Sequence, residues 1–204
     1  MALKLPDPGL NPPSRAHHCY WPQRLPFGMV LPCTTLWDNL AVNARRYPHK
    51  SAVHFMGTAW SYVELMHRAE RLAAWLVAHG VKSGDRVLLI MQNCPQWLIA
   101  HFAILRANAV VVPVNPMNRS LELSHYISDA DARVAIISAD LSEGLAQASD
   151  ALPLDQGLLH MLITQHTDGF DPQMTPPGDM PQAWRRSEEH TSELQSRQYL
   201  VCRL

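Results

Sequence analysis

The chain has 204 residues, 47% of them hydrophobic and 17% charged, with 17 Lys and Arg against 18 Asp and Glu. That length is enough for a real core in one or two domains, and the composition excludes wholesale disorder and a fibrous protein. A net charge of -1 argues against a nucleic-acid or anionic-membrane partner, because either would need a basic surface.

Residues 1–34 carry seven of the sixteen prolines and read as a Pro-rich arm, since proline removes a donor and blocks helix. The start, Met1 to Pro8, lacks the apolar run of a signal peptide. Regular periodicity then fills 35–165. Leu36 to Tyr47 is a predicted helix with Thr34 or Thr35 as N-cap, stopped by Pro48. Ser51 to Met56 and Ala59 to Trp60 are short strands about a turn at Gly57-Thr58. Ser61 and Glu64 form a capping box that opens a helix with apolar positions at 62, 65, 69, 72, 73, 76 and 77, ended by Gly80.

Lys82-Ser83-Gly84-Asp85 turns into Arg86 to Met91, an apolar run that fits a strand covered on both faces. A helix follows from Pro95 to about Ala107, with Asn108 as a left-handed stop, and Val110 to Val114 is a further buried strand. Trp97 to Val114 is the most apolar stretch. Its His101, Arg106, Asn108 and Pro113 fit a buried helix and strand, not a membrane span. Ser120 to Asp129 and Leu141 to Ala151 are helical, and Arg133 to Ser138 and Leu158 to Thr164 are strands. Strands alternating with helices predict an α/β fold with a mostly parallel sheet and flanking helices. Residues 166–184 are rich in Pro and Gly and read as loop or linker.

Few residues point to chemistry. Neither G-x-G-x-x-G nor G-x-x-x-x-G-K-[ST] occurs in the chain, so both of those phosphate loops are absent. Cys19, Cys33, Cys94 and Cys202 have no metal-knuckle spacing and read as reduced thiols of a cytoplasmic protein. His17-His18-Cys19 is an exposed arm, because adjacent residues close a tetrahedral site poorly. His67, His79 and His101 lie on predicted helices as surface or half-buried residues. A Cys94/His101 nucleophile pair lacks an identifiable orienting acid. Ser83-Gly84-Asp85 is a turn. Met56, Met66 and Met91 are core fillers, and Asp129, Asp131 and Asp140 lack calcium-loop spacing.

Four blocks, in order, carry a resemblance. They are Ala44 to Val53; Trp60-Ser61-Tyr62-Val63-Glu64-Leu65; Gly80-Val81-Lys82-Ser83-Gly84-Asp85-Arg86-Val87 running on to Asn93-Cys94-Pro95; and Ala103 to Pro116. Together they resemble the N-terminal subdomain of the AMP-forming acyl-CoA synthetases, the adenylate-forming (AMP-binding) superfamily, and within it the fatty-acid branch. Ser61 stands where that family has Thr, an equivalent N-cap, and Asn108 stands where it has Gly.

The resemblance implies an ATP-dependent acid–CoA ligase. A carboxylate attacks the α-phosphate of ATP-Mg to give an acyl-adenylate and pyrophosphate, and the CoA thiol then displaces AMP. The implied cofactors are ATP, Mg and CoA, and the partner is a small carboxylate substrate. The family's phosphate loop, Mg-binding Glu, ribose-binding Asp and C-terminal Lys all lie beyond the matched part. No catalytic, cofactor-binding or metal residue is therefore carried over, and the chain is expected to be an inactive fragment that binds none of these cofactors. Rival readings are an adenylation domain that loads a carrier protein and a non-catalytic α/β binding module.

Residues 185–204 show no helix or strand period. Arg186 to Ser196, and then Tyr199 to Leu204, back-translate to two halves that resemble a common short-read sequencing adapter around its variable index. This stretch is expected to be a non-native, disordered tail.

Overall fold

The computed structural model describes Tyr20, Pro22, Arg24, Gly28, residues 31–168 and one strand at Tyr199–Val201. The chain divides into two compact units, Met1–Thr34 and Thr35–Leu204. His17-His18-Cys19 and Cys202 lie outside the described residues, as do most of the Pro-rich arm, the 166–184 loop and the 185–204 tail.

The second unit opens with helix α1 (Leu36–Arg46). Thr35 is its N-cap, and a capping box with Asp38 reinforces it: the Thr35 amide donates to Asp38 Oδ2 at 2.8 Å and the Asp38 amide donates back to Thr35 Oγ1 at 3.2 Å. Strands β1 (Ser51–Phe55) and β2 (Thr58–Ser61) pair antiparallel as a hairpin. Met56 and Gly57 form its two-residue turn, with φ of 45° and 79°. Two positive values are what the right-handed twist of a tight hairpin demands. Met56 was expected in the core; the turn takes it instead, and it belongs to neither hydrophobic cluster.

Helix α2 (Tyr62–Ala78) starts from the Ser61/Glu64 capping box, with the Ser61 amide 2.8 Å from Glu64 Oε2. Its buried stripe is Leu65, Ala69, Leu72, Ala73 and Leu76. Val77, expected to share the stripe, is 56% exposed, because it stands about 100° round the helix from Leu76. Gly80 ends the helix at φ 88°, a conformation open to glycine at no steric cost.

The remaining elements are β3 (Arg86–Ile90), α3 (Pro95–Arg106), β4 (Val110–Pro113), α4 (Ser120–Asp129), β5 (Val134–Ser138), a 3₁₀ turn at Ala139–Leu141, α5 (Ser142–Asp150), β6 (His160–Thr164) and β7 (Tyr199–Val201). The strands from β3 to β7 form one parallel sheet in the order β4-β3-β5-β6-β7. The fold is thus α/β with a parallel sheet and flanking helices, as the alternation predicts.

Alternate residues of the sheet feed two separate cores. Val87, Leu89, Val134, Ile136 and Leu162 pack with α1, α2 and α3. Leu88, Ile90, Ala135, Ile137, Met161 and Ile163 pack with α4 and α5. Leu88, Leu89 and Ile90 are all 0–1% exposed, and each such side chain contributes about 1.5–3 kcal/mol by burial.

Two sheet edges depart from expectation. Val110 to Val114 was expected to be buried; Val114 is, yet among the described residues β4 has one neighbour, Val110 and Pro113 are exposed, and Val111 and Val112 are half-buried. Proline is tolerated there because an edge strand has a side with no ladder to feed. At the other edge, β7 lies within the stretch where no strand was expected. It pairs in parallel with β6 through Met161–Tyr199, Leu162–Leu200 and Ile163–Val201. An unpaired row of backbone amides and carbonyls will template any extended segment that reaches it.

Ser61→Ala removes the oxygen that caps α2. It should lower unfolding stability by about 1 kcal/mol, with Ser61→Thr near wild type, measured by urea denaturation.

Candidate functional site

The strand order sets where a site can form. From β3 the chain steps outward to β4, then returns across β3 to β5 and continues to β6. The crevice at such a reversal opens beyond the carboxyl ends of β3 and β5, where ligands of open parallel sheets bind. Three segments meet there: the loop after β3 leading into α3, the Ala139–Leu141 turn after β5, and residues 165–168 after β6.

Cys94 is the N-cap of α3 and Pro95 its first residue. The Cys94 thiol is buried and donates to Met91 Sδ at 3.8 Å. Burial pushes its pKa up to about 11, against the backbone N–H groups of Trp97 and Gln96, which favour the thiolate. At neutral pH the thiol form is favoured, so Cys94 is no standing nucleophile.

The Cys94/His101 pair does not form. Seven residues along a helix is a rise of about 10 Å, and His101 instead stacks on Trp97 with ring centroids 5.0 Å apart. The carboxylate of Asp140 acts on both Cys94 and His166, which places the acid and a different histidine at this edge. His166 is 3% exposed; burial lowers its pKa, opposed by Asp140 and Asp168.

Below these groups lies a buried polar knot. Gln96 is 0% exposed, and its Nε2 donates to the carbonyls of His166 at 3.2 Å and Asp168 at 2.6 Å. Asp168 Oδ2 accepts from Thr164 Oγ1 at 3.0 Å and from the Gln165 amide at 2.7 Å. Ser138, whose register partner is Thr164, is also buried. Among the described residues Gln96 Oε1, Ser138 Oγ and Thr167 Oγ1 have no hydrogen-bond partner. Sequence patterning missed the knot because its members lie 70 residues apart and fall partly in a stretch read as loop. The one available signal was polar Gln96 at the start of an otherwise apolar helix.

The other candidates have structural roles. Ser83 Oγ accepts from Asn108 Nδ2 at 2.9 Å, and Asp85 Oδ2 accepts from the Lys82 amide at 2.8 Å, so this segment is the predicted turn. Asp131 bridges Arg86 at 3.2 Å and Arg133 at 3.5 Å. Asp129 and Asp140 are exposed and His67 is exposed, while Met91 is buried and Met66 half-buried. His79 stacks on Trp75 and donates from Nδ1 to the Trp75 carbonyl at 2.8 Å. Beside α3 a cavity of about 290 Å³ opens between Val53 and Phe55 of β1 and Cys94, Trp97 and Leu98. Its walls are apolar and suit no phosphate.

Fold and edge together define a parallel α/β domain whose ligand-facing end gathers polar loops from three strands. The family model described as AMP-binding enzyme matches residues 40–197, and the chain belongs to that family. A long-chain-fatty-acid–CoA ligase of Bacillus subtilis is 36% identical over 121 residues, covering 59% of this chain and 21% of that protein. A salicyl-AMP ligase / salicyl-S-ArCP synthetase of Mycobacterium tuberculosis is 40% identical over 115 residues, covering 54% and 20%. A benzoate CoA ligase of Burkholderia xenovorans superposes with a TM-score of 0.59 at 25% identity, covering 63% of this chain and 25% of that one. The chain thus spans about a fifth of the length of the curated relatives named here.

Among the described residues no three His, Cys, Asp or Glu side chains gather to hold a metal ion. The first amides of α3 already face the Cys94 sulfur. No catalytic step follows from these residues.

Burial lowers the pKa of His101, His160 and His166 below the ordinary 6.5. Unfolding therefore takes up protons below about pH 6.5, and stability is full above that pH and falls as pH drops through the folded values. The urea midpoint should be lower at pH 5.5 than at pH 7.5, with a smaller difference in His166→Asn. Equal midpoints would contradict the burial.

Proposed function

We propose that this chain is the N-terminal portion of an ATP-dependent acid–CoA ligase. The longer enzyme joins a fatty acid to AMP with release of pyrophosphate, then passes the acyl group to the CoA sulfur with release of AMP. ATP, Mg, CoA and a small carboxylate belong to that longer enzyme, and this portion alone is inactive. The supporting observation is the combination of a family match over residues 40–197 with coverage of only 21% of the Bacillus subtilis ligase. Exposed Val110 on the β4 edge, and Met117 and Leu121 at 81% and 85% exposure, are apolar surface that a longer chain would cover.

The 185–204 stretch is read as translated adapter sequence from its back-translation alone; the family match runs on to residue 197 and Tyr199–Val201 pairs with β6. The described residues contain no helix long and apolar enough to cross a membrane, which fits a cytoplasmic ligase. The salicyl-AMP ligase relative supports a second reading, in which an aryl acid is adenylated and handed to a carrier protein.

The test is to resequence the locus past the codon for Trp184 and express the extended frame. Fatty acids, ATP and CoA should yield AMP, pyrophosphate and acyl-CoA. Adenylate formation with aryl acids and transfer only to a carrier protein would favour the second reading. The 204-residue chain should show neither turnover nor nucleotide binding by calorimetry. Thioester synthesis by that chain would overturn the proposal.

A further inference from the structure

We propose that Gln96 is a positioning residue that latches the turn at 165–168 to the start of α3 and so sets the direction in which the chain leaves the sheet after β6. The geometry needs both ends of the interaction. Gln96 is the second residue of α3 and fully buried, yet it is an amide where the same helix buries Ile99, Ala100, Ala103 and Ile104. Its Nε2 has two protons and gives them to two carbonyls of one turn, those of His166 and Asp168. An apolar residue of that size would fill the space but remove both of these donated hydrogen bonds from a buried site.

The turn is built to receive it. The Asp168 amide donates to the Gln165 carbonyl at 3.0 Å. Its carboxylate takes the Gln165 amide and the Thr164 hydroxyl, which closes the segment on the end of β6. One side chain then ties this closed turn to a helix 70 residues earlier. On the reading above, this turn belongs to the N-terminal portion of a longer ligase. Only this last step rests on the proposed function; the latch itself does not.

Hydrogen exchange by mass spectrometry on the intact 204-residue chain tests it, comparing wild type with Gln96→Met and Gln96→Glu. In Gln96→Met, which keeps the volume and loses both donors, amides in 165–168 should exchange about tenfold faster while those of β3 and β5 keep their protection. Gln96→Glu should protect 165–168 while its carboxyl is protonated and can donate, and lose that protection as it ionises, after correction for the intrinsic pH dependence of exchange. A buried charge alone would loosen β3 and β5 as well, so the latch requires that the pH-dependent loss be confined to 165–168. Unchanged protection in Gln96→Met, or a flat pH response in Gln96→Glu, would overturn the latch. If Gln96→Met does not fold, Gln96→Glu at two pH values decides alone. No turnover is measured, so failure here is distinguishable from failure of the ligase reading.

Discussion

The structure depends on one constraint: β3 must be apolar on both faces. A parallel strand at the middle of a sheet has a helix layer on either side, so Val87, Leu88, Leu89 and Ile90 are all buried and only Arg86, at the start of β3, reaches water. Leu89 looks toward α2 and α3, and Leu88 and Ile90 toward α4 and α5. Two cores therefore share one strand, and polar groups are driven to the sheet's ends. At the carboxyl end Ser138, Thr164, Gln96, His166 and Asp168 collect in one buried layer. That end is where the fold leaves room for chemistry.

The resembling blocks turn out to be mostly architectural. Ser61 and Glu64 cap α2, Gly84 turns the chain at φ 86° into β3, and Pro95 starts α3. Asn108, at φ 60°, ends α3 and also bonds to Ser83 of the neighbouring turn. Its side chain thus recovers a contact that glycine could not make, at the modest cost of a left-handed backbone. These are start, stop and turn signals for a shared fold. They explain how a chain spanning about a fifth of the length of those relatives can carry the family's pattern.

Most of the elements were legible because their causes are local. A capping box, a proline at a helix start and an apolar run of strand length act within a few residues. What stayed hidden depends on distance. The exposure of Val110 follows from β4 having one neighbour, which chain order does not reveal. The Gln96 knot joins residues 70 apart, and His166 could be paired with Asp140 only after two strand ends were brought together. Met56 was misplaced for a different reason: its hydrophobicity suggested the core, while the two-residue hairpin imposed its conformation.

The shared-strand account is tested most directly by comparing Leu88→Ala with Leu89→Ala, two truncations on opposite faces of β3, through hydrogen exchange in α2 and α4. Because both cores hang on one strand, either truncation should lower protection in both helices by the same amount, about 3 kcal/mol. If Leu89→Ala loosens α2 and leaves α4 untouched, the two layers are independent and the account is wrong.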